Sequence, residues 1–305
     1  MAVNNFMLTH KQEPCFFCKT PSSKYFCSRD YNRNISRETF IHYRCPECHL
    51  IFISPLPDNL GDYYPNDYHY IPESIDFLEA VAAHEQYKID IIKRFIQQGR
   101  LLEIGPSLGS FAYLAKKSGF HTETIEIDAR CSEYLNNVAN ITTINSDDAI
   151  DALSMLKPFD VIALWHVIEH LIDPWKTLDA IFEKLNPGGI LVLAAPNPEA
   201  FQFMLMGRYW PHVDAPRHVT LIPAQLIISK LVAMGMTLEL VTTNDAGGLG
   251  WNTFGWEYFF STRSKHPRIK AILRYIGLIT ARLFSSLDKI EGKGCAYTVV
   301  LRKSN

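Results

Sequence analysis

Residues 100–117 constrain this chain more than any other segment. A short apolar run, Arg100 to Ile104, breaks at Gly105 and Gly109, and residues 110–117 resume with helical spacing. A strand that passes into a helix through glycines brings backbone close to a ligand, because glycine has no side chain in the way. The alternation then continues. Strands are predicted at 121–127, 140–144, 159–165 and 190–195, with helices between them, and the helix through 175–185 meets a stop signal at Asn186-Pro187-Gly188-Gly189. Before the first strand, Phe77, Leu78, Val81, Ile89, Ile92 and Phe95 predict a helix within 77–98. Strands alternating with helices fold into a parallel, doubly wound α/β sheet.

The loop after the first strand carries polar groups suited to a nucleoside. Glu103 precedes the turn, Gly105 and Gly109 frame it, and Pro106 has no N–H, which leaves Ser107 as the backbone donor at its middle. Glu126, about 20 positions after Gly105 and followed by Ile127, ends the next strand, where an acid accepts hydrogen bonds from both hydroxyls of an adenosine ribose. Asp128 is read as the N-cap of the helix holding Tyr134, Leu135 and Val138. Asp147 and Asp148 admit two readings, a carboxylate on an adenine amine or a cap for the helix at 149–156. A nicotinamide dinucleotide site is the rival for this loop. The second glycine of G-x-G-x-x-G is missing, however, and Glu103 suits an ammonium better than a phosphate.

Seven cysteines are an odd number. Cys15-x-x-Cys18 and Cys45-x-x-Cys48 form two close pairs, while Cys27, Cys131 and Cys295 stand apart. That spacing predicts a tetrahedral zinc shell on a small N-terminal ribbon rather than disulfides. Apolar residues between the pairs are too few for an independent core, so the metal is expected to supply folding free energy there. Four thiolates leave no open position for catalysis, and a thioredoxin-type motif would occur once at a strand-to-helix junction, not twice. His42 and His49 are near enough in sequence to replace a cysteine. Pro55 and Pro57 close the ribbon, an aromatic loop follows over 62–70, and the domain boundary is expected between residues 56 and 76.

In their order these pieces resemble a class I S-adenosylmethionine (SAM)-dependent methyltransferase: the Glu103-x-Gly105-x-x-x-Gly109 loop, Glu126, the Phe159-Asp160-Val161 strand and the segment 185–192. The likeness extends to the branch with His166-x-x-Glu169-His170 after the fourth strand, a later Pro216-Arg217-His218 and an N-terminal zinc ribbon. It covers roughly residues 14–245, and 295–302 suits that fold's antiparallel last strand. The family's usual middle glycine is Ser107 here. The resemblance implies a doubly wound, seven-stranded Rossmann-like methyltransferase sheet over 61–305, behind a zinc-ribbon module and linker over 1–60, with lid insertions near 197–222 and 245–265. It implies SAM held by Glu103, Gly105, Ser107, Gly109, Glu126, Ile127, Asp147, Asp148 and His166, and structural zinc on Cys15, Cys18, Cys45 and Cys48. In related quinone-pathway O-methyltransferases an acidic counterpart of His166-x-x-Glu169-His170 binds a divalent metal. His166, Glu169 and His170 are therefore candidate ligands, beside the plainer reading that Glu169 and His170 cap the next helix.

Methyl transfer from a sulfonium is an in-line displacement, so such a site aligns the acceptor and removes a proton when the acceptor is a hydroxyl. His166, where the fourth strand meets the cofactor loop, is the first candidate to contact acceptor or cofactor. Asp214, His218 and their neighbour His212, in the 197–222 insertion, are candidate bases. Arg217 either holds an anionic acceptor or fixes the loop through a salt bridge. Glycines and aromatics over 245–256 predict a second, flexible lid. Residues 267–290 set apolar side chains at helical spacing among Arg268, Lys270, Arg274 and Arg282. That pattern fits a helix packed on its own domain or on a dimer mate and, alternatively, one lying on a membrane surface.

A formal charge of −2 over 305 residues gives no basic field for nucleic acid, and no run reaches the roughly 18 apolar residues of a membrane span. The first ten residues lack the basic start and apolar run of a secretory signal. The expectation is a cytoplasmic enzyme, with 267–290 as its peripheral membrane contact if it has one, and with its oligomeric state left open. Its expected acceptor is a small molecule and, by analogy with the ribbon-bearing branch, a sugar hydroxyl of a nucleotide- or lipid-linked glycan precursor. The alternatives are a quinone-type O-methyltransferase, a methyltransferase whose ribbon docks protein or RNA, and a non-catalytic binding module. On the ribbon, Lys11, Lys19, Lys24, Arg29, Arg33, Arg37 and Arg44 are mixed with Glu13, Asp30 and Glu38, so no clustered basic face is expected.

Overall fold

The computed structural model describes residues 12–65, 68–72 and 74–304. Residues 1–11, with the N-terminal stretch read for a signal and Lys11, lie outside the described residues, as do Asn66 and Asp67 of the aromatic loop. The cysteine-bearing segment forms β1 (Glu13–Pro14), β2 (Pro21–Ser28), β3 (Phe40–Arg44) and β4 (Ile51–Ile53), antiparallel neighbours in that order. Where one helix is expected within 77–98 there are two, α1 (Ile75–Ala82) and α2 (Gln86–Lys93), divided by a 3-10 turn at Ala83–Glu85. The division follows from burial. Leu78 and Ala82 pack with Tyr113 and Tyr134, whereas Ile89, Ile91 and Ile92 pack with Leu101 and Phe111, so the chain changes the core it faces.

Strand and helix then alternate as expected: β5 (Arg100–Ile104), α3 (Ser110–Lys117), β6 (His121–Glu126), α4 (Ala129–Asn137), β7 (Thr142–Asn145), α5 (Ala149–Met155), β8 (Phe159–Trp165), α6 (Pro174–Lys184) and β9 (Leu185–Pro196). Local chemistry starts the helices, since the side chains of Asp128, Asp148 and Asp173 each accept a backbone N–H in the first turn of α4, α5 and α6. Asn186-Pro187-Gly188-Gly189 does not separate helix from strand. Phe159 pairs with Leu185 and Val161 with Ile190, so residues 186–189 are looped out within β9.

After β9 come α7 (Phe201–Met206), β10 (Thr220–Leu221), α8 (Ala224–Ala233), β11 (Met236–Thr242), α9 (Ala246–Ser261), α10 (Pro267–Asp288) and β12 (Ala296–Lys303). The seven-stranded sheet runs β11-β12-β9-β8-β5-β6-β7, and β12 is antiparallel to both its neighbours while β9 through β7 are parallel. This is the doubly wound α/β sheet with an antiparallel closing strand. Its switch point lies between β5 and β8, where successive helices leave to opposite sides and ligands bind at the strand ends.

Two expectations change. The glycine-rich segment at 245–256 is the start of α9, capped by Asp245 on the N–H of Gly248, and Gly247, Gly248 and Gly255 serve close packing there. A side chain at Gly255 would meet Gln202 Oε1 at 2.0 Å. The ribbon, too, is not left to a metal alone. β10 pairs antiparallel with β4, and Cys15, Cys45, Leu50 and Phe52 share one core with Ile168, Trp175, Ile222 and Leu226 of the main domain.

Candidate active site

The loops that follow β5 and β8 touch at the switch point. Gly105 and Gly109 hold φ of +68° and +79°, and a Cβ on them would lie 2.7 Å from Val167 Cγ2 and 2.2 Å from Leu135 Cδ2, so only glycine fits at either place. Ser107 lies in the same left-handed region at φ +54°. Its conformation is held by two contacts: its N–H donates to Glu126 Oε2 at 2.8 Å, and its Oγ is 2.9 Å from His69 Nδ1. The N–H of Asp128 donates to Glu126 Oε1 at 2.8 Å. Burial raises the Glu126 carboxyl against these two N–H donors, and each oxygen keeps a second lone pair for a ligand hydroxyl.

Around that turn, Ile127 is exposed beyond the end of β6, and Asp147 is exposed beyond β7. Asp148 caps α5 through Oδ1, which accepts from Ile150 and Asp151 N–H, the second of its two expected readings. Glu103 is buried with Oε2 unpartnered among the described residues. Burial pushes its carboxyl up to about 8, with the nearby Lys88 charge opposing. A buried carboxyl oxygen lacking a partner is satisfied by a cationic ligand group, and a glycine turn with an acid at the next strand end fits a nucleoside bearing an amino-acid chain, such as SAM.

Across the turn from this loop, His166 directly follows β8 at φ +58°, and three residues on is Glu169, whose carboxylate oxygens are both buried and unpartnered in hydrogen bonding among the described residues. His166 Nδ1 lies 3.7 Å and His218 Nε2 3.9 Å from Glu169 Oε1. Burial would raise the Glu169 carboxyl, but the close approach of His166 and the charges of His170, His218 and His166 outweigh it and hold the carboxyl down at about 2. His218 Nδ1 is 2.7 Å from the carbonyl oxygen of His212, and His170 Nδ1 is 3.0 Å from that of Arg217. Protons assigned to both Nδ1 atoms, donating to those carbonyls, leave each Nε2 as a lone pair. Glu169, His170 and His218 each present a ligand atom within 4.8 Å of the others. In this grouping His218 stands where His166 is expected. Trp251 of α9 lies against the site, its ring tilted to that of His166 at 4.8 Å between centroids and edge-on to that of His212 at 5.1 Å.

Asp214 does different work from that expected, and Arg217 takes the second of its two expected readings, the salt bridge. Arg217 is fully buried and donates from Nη2 to Asp30 Oδ1 and Asp214 Oδ1, both at 2.7 Å, and from Nε to Asp214 Oδ2 at 2.9 Å. Asn32 adds a bond to Asp214 Oδ1 at 2.5 Å. Burial would raise the Asp214 carboxyl, yet Arg217, His218 and Asn32 hold it at about 2. So engaged, Asp214 is an anchor and not a base, and Arg217 is the loop's salt bridge and not an acceptor clamp. Together they tie the ribbon to the 197–222 insertion. Asp30, Asn32 and Tyr64, whose hydroxyl lies 3.0 Å from His170 Nδ1, escaped sequence reasoning because nothing local sets them apart from other polar loop residues.

The four paired cysteines meet. Sγ atoms of Cys15 and Cys48 are 3.5 Å apart, those of Cys18 and Cys45 3.4 Å, and those of Cys18 and Cys48 3.8 Å. Tetrahedral Zn–S bonds of about 2.3 Å set sulfurs roughly 3.8 Å apart, so the cluster has the dimensions of a metal shell. Neither neighbouring histidine replaces a cysteine: His42 bonds Ser28 Oγ at 2.7 Å beneath Phe26, and His49 is exposed.

A family model described as Methyltransferase domain matches residues 79–239. Among curated proteins, a ubiquinone biosynthesis O-methyltransferase of Xylella fastidiosa is 30% identical over 121 residues, 38% of this chain and 49% of that protein. One from Cereibacter sphaeroides is 28% identical over 112 residues, 34% of this chain and 43% of that protein. The chain thus spans about half the length of the curated relatives it matches. A solved SAM-dependent methyltransferase from Archaeoglobus fulgidus aligns with a TM-score of 0.47 at 19% identity, over 74% of this chain and 94% of that one.

Proposed function

Because the chain belongs to the methyltransferase-domain family, whose model spans residues 79–239, we propose that it transfers a methyl group from SAM to a hydroxyl of a small molecule. The observation that carries this reading is Glu169: an ionised, buried carboxylate without a hydrogen-bond partner, ringed by histidines, across the strand ends from the Glu103–Gly109 turn. SAM supplies a methyl on a sulfonium, open to in-line displacement. In this chain Glu103 would receive the amino group, Glu126 the ribose, Ile127 a face of the adenine and Asp147 its amine, while Gly105 and Gly109 let the backbone come close. His218, its Nδ1 proton held by the His212 carbonyl, takes the acceptor proton at Nε2, and Glu169 stabilises the imidazolium so formed. His166 contacts the acceptor or the cofactor beneath Trp251. Zinc on Cys15, Cys18, Cys45 and Cys48 is structural.

A sugar hydroxyl of a nucleotide- or lipid-linked glycan precursor remains our first acceptor, and the names of the curated relatives favour the alternative, a quinone-type phenol. A second reading of the same pocket is favoured by the paired Nε2 lone pairs beside Glu169: a divalent metal on Glu169, His170 and His218 that would polarise the acceptor hydroxyl. Tritiated-methyl SAM offered with sugar and phenol acceptors tests the proposal. We expect label transfer that falls by about 10²-fold or more in His218→Gln, with binding of S-adenosylhomocysteine retained. Unchanged turnover in both His218→Gln and Glu169→Gln contradicts the base assignment, and restoration of a chelated enzyme by one divalent ion selects the metal reading.

A further inference from the structure

Helix α10 packs one face and leaves another open. Gly277 sits against α9, where a side chain would meet Glu257 Cα at 2.6 Å, and Phe284 stacks on Trp256 at 5.2 Å between centroids. On the other side Ile269, Ile272, Ile276, Ile279, Leu283 and Leu287 follow at spacings of three and four and are all exposed, Leu283 by 72% and Ile272 by 61%. Scattered exposed apolar residues need no explanation, but a continuous stripe about five turns long does.

The charge beside the stripe has one sign. Residues 246–290 hold Arg263, Lys265, Arg268, Lys270, Arg274, Arg282 and Lys289 against only Glu257 and Asp288. Glu257 pairs with Arg274, and Asp288 is buried, accepting from Trp256 Nε1 and Gln202 Nε2. The other six bases have no acidic partner among the described residues. A second copy of the chain placed symmetrically on this stripe would set cations against cations. A surface of lipid phosphates over an apolar interior complements both the stripe and its rim. No helix among the described residues is long and apolar enough to cross a membrane, so the contact would lie flat.

We propose that α10 seats this protein on an anionic lipid surface. Helix α9 lies between α10 and the candidate site, with Trp251 beside His166 and Trp256 on Phe284, so seating holds the site about two helix diameters, ~20 Å, from the headgroups, within reach of a long polar head. An acceptor with a polar head and a bilayer-held apolar tail then fits best. That extension rests on the proposed methyl transfer, and the lipid contact does not.

Flotation of the full chain with vesicles of phosphatidylcholine, alone or with phosphatidylglycerol, tests the contact. Binding is expected with the anionic vesicles only and weakens with salt. Ile272→Glu with Leu283→Glu should lower it at least about tenfold, and Arg268→Gln or Arg282→Gln by about fivefold each. Met155→Glu, a charge on an exposed apolar residue of α5, leaves binding and melting unchanged. Equal recovery with both vesicle types, flotation of the stripe variant like its parent, or a dimer that the stripe variant dissociates would each overturn the proposal. Binding of S-adenosylhomocysteine is measured on the same samples: its absence beside intact flotation counts against methyl transfer alone.

Discussion

Ser107 donates its backbone N–H to Glu126 at 2.8 Å, which ties the middle of the glycine turn to the acid at the end of the neighbouring strand. The two features that mark a nucleoside site in the sequence therefore support each other. Glu126→Ala would strip the acceptor from the N–H groups of both Ser107 and Asp128, at about 1–3 kcal/mol for each buried donor left unmet. Affinity for S-adenosylhomocysteine is expected to fall by about tenfold or more in calorimetry. Ser107→Gly, which relieves the left-handed backbone and loses only the His69 contact, should leave that affinity within about threefold.

Glu103 gives a pH signature. Its carboxyl, raised by burial from 4.5 to about 8, is protonated at pH 7 in the folded chain and ionised in the unfolded one. Being raised, it contributes stability that is complete below the unfolded value of 4.5 and is lost as the pH rises through about 8. An ammonium docking there expels the proton. Binding of S-adenosylhomocysteine at pH 7 should therefore release close to one proton, read as a dependence of the heat on the buffer's ionisation enthalpy, and the release should vanish in Glu103→Gln. Binding by the parent with no proton release at pH 7 would place the amino group elsewhere.

Arg217→Met should cost about 3–5 kcal/mol, because it strands the carboxylates of Asp30 and Asp214, which Arg217 bridges in the interior. Urea titration reads this as a lower midpoint. An unchanged midpoint with a raised KM would instead make Arg217 a substrate clamp.

Zinc should be found at about one ion per chain and be lost in Cys45→Ser. Although β10 is bonded to β4 and the ribbon shares its core with the main domain, chelation should open the 12–57 region to hydrogen exchange while β5, β8 and β9 stay protected. Loss of protection across the whole sheet would show that the ribbon is no separable unit.

What the sequence revealed and what it hid differ by range. Asp128 as a helix cap, the strand before Gly105 and the two cysteine pairs are local patterns, and each is legible within a few residues. The Arg217–Asp30 bridge spans 187 positions, and β10 joins a ribbon strand from far along the chain, so no window of sequence contains either. The glycines of α9 misled for another reason: their local preference for loops is overridden by contacts with Gln202 and Tyr87 that only tertiary packing supplies. Asn186-Pro187-Gly188-Gly189 likewise carries a turn signal that β8 and β9 absorb by looping out its four residues.

The proposed methyl transfer stands on SAM binding at the Glu103–Gly109 turn with Glu126. Calorimetric titration of the full chain with S-adenosylhomocysteine tests it most directly. Saturable one-to-one binding, weakened in Glu126→Ala, is expected; folded protein that gives no heat at high ligand concentration would rule out a SAM site there.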